Sequence, residues 1–219
     1  MTLRLIRGPF LISVSFTLLR LVGELTHVSE RWFRRDTGGI LPSGVGWVFG
    51  ISWLPVLFGP YFLERLRARG GRPPGARVLL AAVCGATFVL LADEFLLPLV
   101  PLPFPRILLA VWAVMACGAA LQAAGWRPLF RALLAYALAS RVVVALVMLC
   151  AMAGRWGTHY DYFGMPAEFQ MPLVPRFLWL ALFPQLIFWV GFTVILGSLA
   201  AGAYSLLTGG TTEPAGEAP

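Results

Sequence analysis

Ser13, Thr17, Arg20, Glu24, His27 and Arg31 follow one another at spacings of 4, 3, 4, 3 and 4 residues. On a helix that turns by about 100° per residue, this spacing puts all six side chains along one line. A guanidinium, a carboxylate and an imidazole on one line can pair with each other, hold an anion or pass a proton. Leu11, Val14, Leu18, Leu19, Leu21, Val22 and Leu25 cover much of the remaining surface of the same stretch. The segment is written for two environments: hydrocarbon over most of its girth, and something polar along one edge.

Other groups that carry chemistry are few. Arg141 stands beside Ser140 in the middle of an apolar run that contains no acid of its own, so its counter-charge must come from elsewhere. Asp93 and Glu94, near the end of another apolar run, are the remaining acids within such runs, and the long arginine stem gives Arg141 the reach to meet them. His159, Tyr160 and Asp161 sit together in the aromatic connector RWGTHYDYFGMPAEFQMPLVPR. With Glu24, that His and Asp are suitable types for a general acid, a general base or metal ligands. No HExxH or HxH spacing accompanies them, so the sequence assigns no metal site and names no cofactor. Glycine-rich phosphate loops, the GxSxG elbow and the CxxCH haem motif are also missing.

Composition says what must position these groups. Hydrophobic residues make up 59% of the 219 positions, charged residues 12%, and mean hydropathy is +0.80. Soluble domains carry about twice that charge. The expected class is an all-α integral membrane protein, a polytopic bundle of six transmembrane helices with no soluble domain. Its spans are expected over 10–28, 44–63, 78–97, 107–124, 129–153 and 177–207, followed by a disordered cytoplasmic tail over 209–219. Pro55 and Pro184 should kink or break their spans. Gly46 and Gly50 stand in the GxxxG spacing that lets two membrane helices approach closely. Cys84, Cys117 and Cys150, odd in number and each in an apolar run, read as small buried residues rather than a disulfide framework.

All 17 basic residues are arginine, and most of them gather at the ends of the apolar runs. That placement fits topology and lipid headgroups rather than nucleic acid. With the N-terminus inside, nine loop arginines are cytoplasmic and six lie outside, which favours both termini in the cytoplasm. The same topology sends Glu24, His27, Asp93, Glu94, His159 and Asp161 toward the outer face, and the alanine-rich, lysine-free chain suggests a bacterial inner membrane.

The leading functional expectation is a small transporter or a lipid- or solute-binding membrane protein. Its buried cluster of Arg20, Glu24, His27, Asp93, Glu94 and Arg141 would open to the outer face beneath the loop of His159, Tyr160 and Asp161. Membrane lipids are expected partners, with a homo-oligomer or a complex partner as further options. A membrane-embedded enzyme using His159, Asp161 and Glu24 on a lipophilic substrate is one alternative. An accessory or scaffold subunit, whose charges only fix helix register, is another.

Overall fold

A computed structural model describes residues 2–29, 31–33, 46–103, 106–162 and 171–208. The described residues form helices and their connections, without a strand. Five helical segments are long and apolar enough to cross a membrane: Leu3–Leu25, Gly75–Leu99, Ile107–Gly125, Arg127–Gly154 and Leu173–Leu207. Many of their large apolar side chains point outward, including Leu11, Leu18, Leu80, Leu90 and Leu146, each more than 40% exposed. Such a surface suits hydrocarbon rather than water.

Helix α1 is Thr2–Leu25, so it starts earlier and stops sooner than the expected 10–28 span. Its end is set at His27, which adopts a left-handed backbone (φ 52°) that no right-handed helix continues. The expected second span is not one continuous helix. Gly46–Phe49 forms a single 3-10 turn, residues 50–54 are bends and turns, and α2 begins only at Pro55 and ends at Arg67. Proline has no N–H to donate and disfavours helical geometry in the residue before it, so Pro55 starts this helix instead of kinking it. Thirteen residues reach about 20 Å, short of the ~30 Å of hydrocarbon. Gly46 and Gly50 consequently share no helical face.

Helix α3 (Gly75–Leu91) widens into a π-turn at Ala92–Leu96, and α4 (Ile107–Ala120) is followed by one further turn. Helix α5, Arg127–Gly154, is the longest, with Pro128 in its first turn, where a missing N–H costs nothing. The last apolar run starts at Leu173 and passes through π-helical coils at Phe177–Leu182 and Pro184–Phe188 before α6, Trp189–Leu207. The break expected at Pro184 is absorbed by these wide turns, which do without the hydrogen bond proline cannot make.

Helix α6 is the hub, with α2, α3, α4 and α5 all packed on it, while α1 lies against α5. Its glycines allow this crowding. A Cβ on Gly59 of α2 would strike the carbonyl oxygen of Gly197 in α6, so the two backbones touch where small residues permit it. Phe62, Leu63, Leu129 and Leu133 fill the space beside that crossing and are 0–1% exposed. The three cysteines are exposed on the outer surfaces of their helices rather than buried. The tail from residue 209 lies outside the described residues.

Gly59→Leu should therefore separate α2 from α6 and remove the folded, monodisperse species in detergent size-exclusion chromatography. Gly8→Leu, whose added Cβ meets nothing within 4 Å, should leave that profile unchanged.

Candidate functional site

The polar edge of α1 faces the bundle. Ser13, Thr17 and Glu24 are buried at 1%, 3% and 0% exposure, while Leu11, Leu18, Leu19 and Val22 point outward. Burying a carboxylate requires donors for both its oxygens, and Glu24 has them. Arg20 Nε donates to Oε1 at 2.9 Å, one helical turn away. The backbone N–H of His159, 135 residues further along, donates to Oε2 at 2.9 Å. The His159 ring also presses Nδ1 to 2.5 Å from Oε1, off the line of an ideal hydrogen bond. One carboxylate therefore joins the C-terminal end of α1 to the connector after α5.

That connector is structured by its own sequence. Arg155, Gly157 and Tyr162 take left-handed backbone angles, so the chain turns sharply after α5. Asp161 then closes a capping box: its Oδ1 accepts from the backbone and hydroxyl of Thr158, and its Oδ2 from the Gly157 N–H at 3.0 Å. All of this fixes Asp161 as the brace of the turn. Tyr160 drops into the bundle, 4% exposed, and its hydroxyl donates to the Thr17 carbonyl at 3.1 Å. The Tyr162 hydroxyl donates to the Leu180 carbonyl in the π-helical segment. The residues from 163 to 170, with Phe163, Met165 and Phe169, lie outside the described ones.

Beneath this roof is a chamber of about 310 Å³. Its walls come from four parts of the chain: Thr17 and Arg20 from α1, residues 49–52, Arg141 and Met148 from α5, and Gln185 of the π-helical segment with Trp189 at the start of α6, with His159 and Tyr160 above. Arg141 is 4% exposed. Its Nη1 reaches Gln185 Oε1 and its Nη2 reaches Ser52 Oγ, both at a long 3.4 Å. The guanidinium lies 5.0 Å from the centre of the Trp189 ring, a cation–π contact. Among the described residues no carboxylate pairs with it.

The residues singled out in the sequence thus divide. Arg20, Glu24, Arg141, His159 and Tyr160 converge on or directly support the chamber. His27 does not, because α1 ends before it and leaves it exposed. Asp93 and Glu94 do not, since α3 packs on α4 and α6 rather than α5, and their π-turn is exposed. Arg141 takes neutral partners in their place. Sequence reasoning passed over Ser52, Gln185 and Trp189. A lone amide in the apolar run at Gln185 was the available signal; Ser52 and Trp189 gave none, because only the broken helix before Pro55 and the wide turns before α6 aim them inward.

Burial, followed by the nearby Arg20 guanidinium, holds the His159 imidazole below its ordinary value of 6.5, against the pull of Glu24. The ring is neutral at pH 7, with the proton assigned to Nδ1 because that nitrogen faces the carboxylate. Burial also pushes the Tyr160 and Tyr162 phenols above their usual range, so both stay protonated. Arg20 and Glu24 cancel, and among the described residues the chamber is left with the single positive charge of Arg141.

Comparison with protein-family models, with curated proteins and with solved structures finds no match for this chain.

Two outcomes follow from this geometry. Glu24→Ala removes the acceptor that holds Arg20 and the connector, and should cost about 3–5 kcal/mol, the range for breaking a buried ion pair. Faster tryptic cleavage at the exposed Arg155 would accompany the lower melting temperature. Because the folded protein binds a proton at His159 less readily than the unfolded chain, stability should decline as pH falls through about 6.5. His159→Gln should flatten that part of the melting temperature profile between pH 5 and 8.

Proposed function

We propose that this protein binds an anionic group, the phosphate, sulfate or carboxylate of a small solute or of a lipid headgroup, in an intramembrane chamber that opens outward. The observation that carries the reading is Arg141: a guanidinium buried near the middle of a 28-residue apolar helix, held by two long neutral hydrogen bonds and an indole face. A buried charge without a counter-charge is expensive, and an anion in the chamber removes that cost. Arginine also presents a planar fork suited to such oxyanions. Arg20, Ser52 and Gln185 add donors around the same space. A transporter or a solute- or lipid-binding membrane protein fits this chamber.

The proposed setting is a bacterial inner membrane with both termini cytoplasmic, on the excess of inner arginines. In it the short α2 and the segment before it form a sixth, interrupted crossing, supported by their packing against α6. A second reading, a membrane-embedded enzyme, has one observation in its favour. The Glu24–His159 contact orients an imidazole over a positively charged chamber, as a general base on an anionic substrate would require. Asp161 is occupied as a brace and has no part in that reading. Charges that merely lock helices, as in a scaffold subunit, would need a carboxylate against Arg141.

Arg141→Met decides between these. With an anion site, the uncharged side chain of similar length should keep or raise the melting temperature of the ligand-free protein, because an unpaired buried charge is gone. Stabilisation by sulfate, or by phosphatidylglycerol over phosphatidylcholine in non-ionic detergent, should vanish. A response to sulfate indicates a free solute, and a response to phosphatidylglycerol alone indicates a headgroup. A wild-type protein indifferent to both, or an Arg141→Met protein that no longer folds, would overturn the reading.

A further inference from the structure

We infer that the chamber takes a doubly charged anion together with one proton, His159 supplying the second positive charge. This rests on the anion-site reading and adds a ligand class to it, a dianion co-bound with H+. The argument is a count of charge in a region where net charge is costly. Arg20 and Glu24 neutralise each other at 2.9 Å, and Arg141 contributes one positive charge. A monoanion completes that balance. A dianion leaves one negative charge over, and the chamber must then gain a positive charge or reject the ligand.

Only one surrounding group is suited to change its charge. From α1 come Arg20, already charged, and Glu24, already a paired carboxylate. From α5 comes Arg141, already charged. On the connector itself, Asp161 accepts three hydrogen bonds within the turn, and Tyr160 and Tyr162 keep their protons. The π-helical segment, the start of α6 and residues 49–52 contribute Gln185, Trp189 and Ser52, none of which titrates. Among the described residues this leaves the His159 imidazole, which lines the chamber.

Its geometry suits the task. Nδ1 stands 2.5 Å from Glu24 Oε1, so the resident proton is assigned to the nitrogen beside the carboxylate and the incoming one goes to Nε2. No described residue hydrogen-bonds Nε2. Protonated, that nitrogen becomes a donor to the anion, while Arg20, which disfavours the charged ring in the empty chamber, gains the anion as a shared partner. The step moves one proton from solvent to Nε2 and breaks no bond in the ligand.

Sulfate and methyl sulfate separate charge from shape, since neither takes up a proton itself between pH 6 and 8. Binding to the purified full-length protein would be followed by calorimetry in buffers of differing ionisation enthalpy. Sulfate should bring uptake approaching one proton per protein, and its affinity should rise by up to about tenfold for each unit fall in pH. Methyl sulfate should bring none. His159→Gln, which keeps a neutral donor toward Glu24, should lose the proton uptake and the pH dependence of sulfate binding, its folding being checked by melting temperature. If that variant does not fold, the contrast between the two anions in the wild type decides alone. Sulfate binding without proton uptake, equal uptake with methyl sulfate, or uptake retained by a folded His159→Gln would overturn the inference and leave the anion site standing. No binding of either anion would overturn both.

Discussion

The Glu24 carboxylate is the junction on which the half of this protein around the C-terminal end of α1 is built. It is fully buried, and its two oxygens are shared between its own helix, through Arg20, and a segment 135 residues away, through the His159 backbone and ring. Each partner alone is ordinary. Together they turn a carboxylate that would be costly in hydrocarbon into a fixed point, and they bring the connector down onto the bundle instead of leaving it along the membrane surface. Tyr160 can then reach the Thr17 carbonyl, and the space beneath acquires a roof.

Why there is a space at all is a matter of two irregularities. The chain before Pro55 does not continue as a helix, so residues 50–54 run as bends and a turn and place Ser52 at the chamber. The chain before Trp189 winds as π-helix, whose wider turns displace Gln185 and Trp189 from where a regular helix would set them. Both irregularities border the chamber. Regular helices packed by the rules that govern α2 and α6 would close this volume with apolar side chains, as happens around Phe62 and Leu133. Irregular backbone at membrane depth is tolerated where it lines a polar cavity or is enclosed by protein, and here it does the former.

Charge then separates two kinds of polar residue in the chain. Arg20 and Glu24 satisfy each other and serve assembly. Arg141 is different, because its partners are an amide, a hydroxyl and an indole face, and none carries the opposite charge. Structural ion pairs lower the cost of burial, a cost that a cation without a carboxylate partner among the described residues retains. Among the described residues, the apolar region where Phe58 and Phe62 pack against Tyr136 contributes no comparable group. The polar chemistry is concentrated between the middle of the bundle and the connector that carries His159.

Much of this was legible from residue order. Helical class, a membrane setting and a first helix with one buried polar edge follow from hydropathy and a 3.6-residue period, which are local properties of the chain. That Arg20 would pair with Glu24 is equally local, one turn apart on one helix. Which acid Arg141 would meet was not local, and the expected Asp93 and Glu94 stand on a helix that packs elsewhere. His27 was lost to a helix end two residues too early, a boundary set by backbone conformation rather than hydropathy. Ser52, Gln185 and Trp189 became site residues only through broken and widened turns. Periodicity assigns a side chain to a face of its own helix; only the packing of helices decides which faces meet, and a cavity exists only between them.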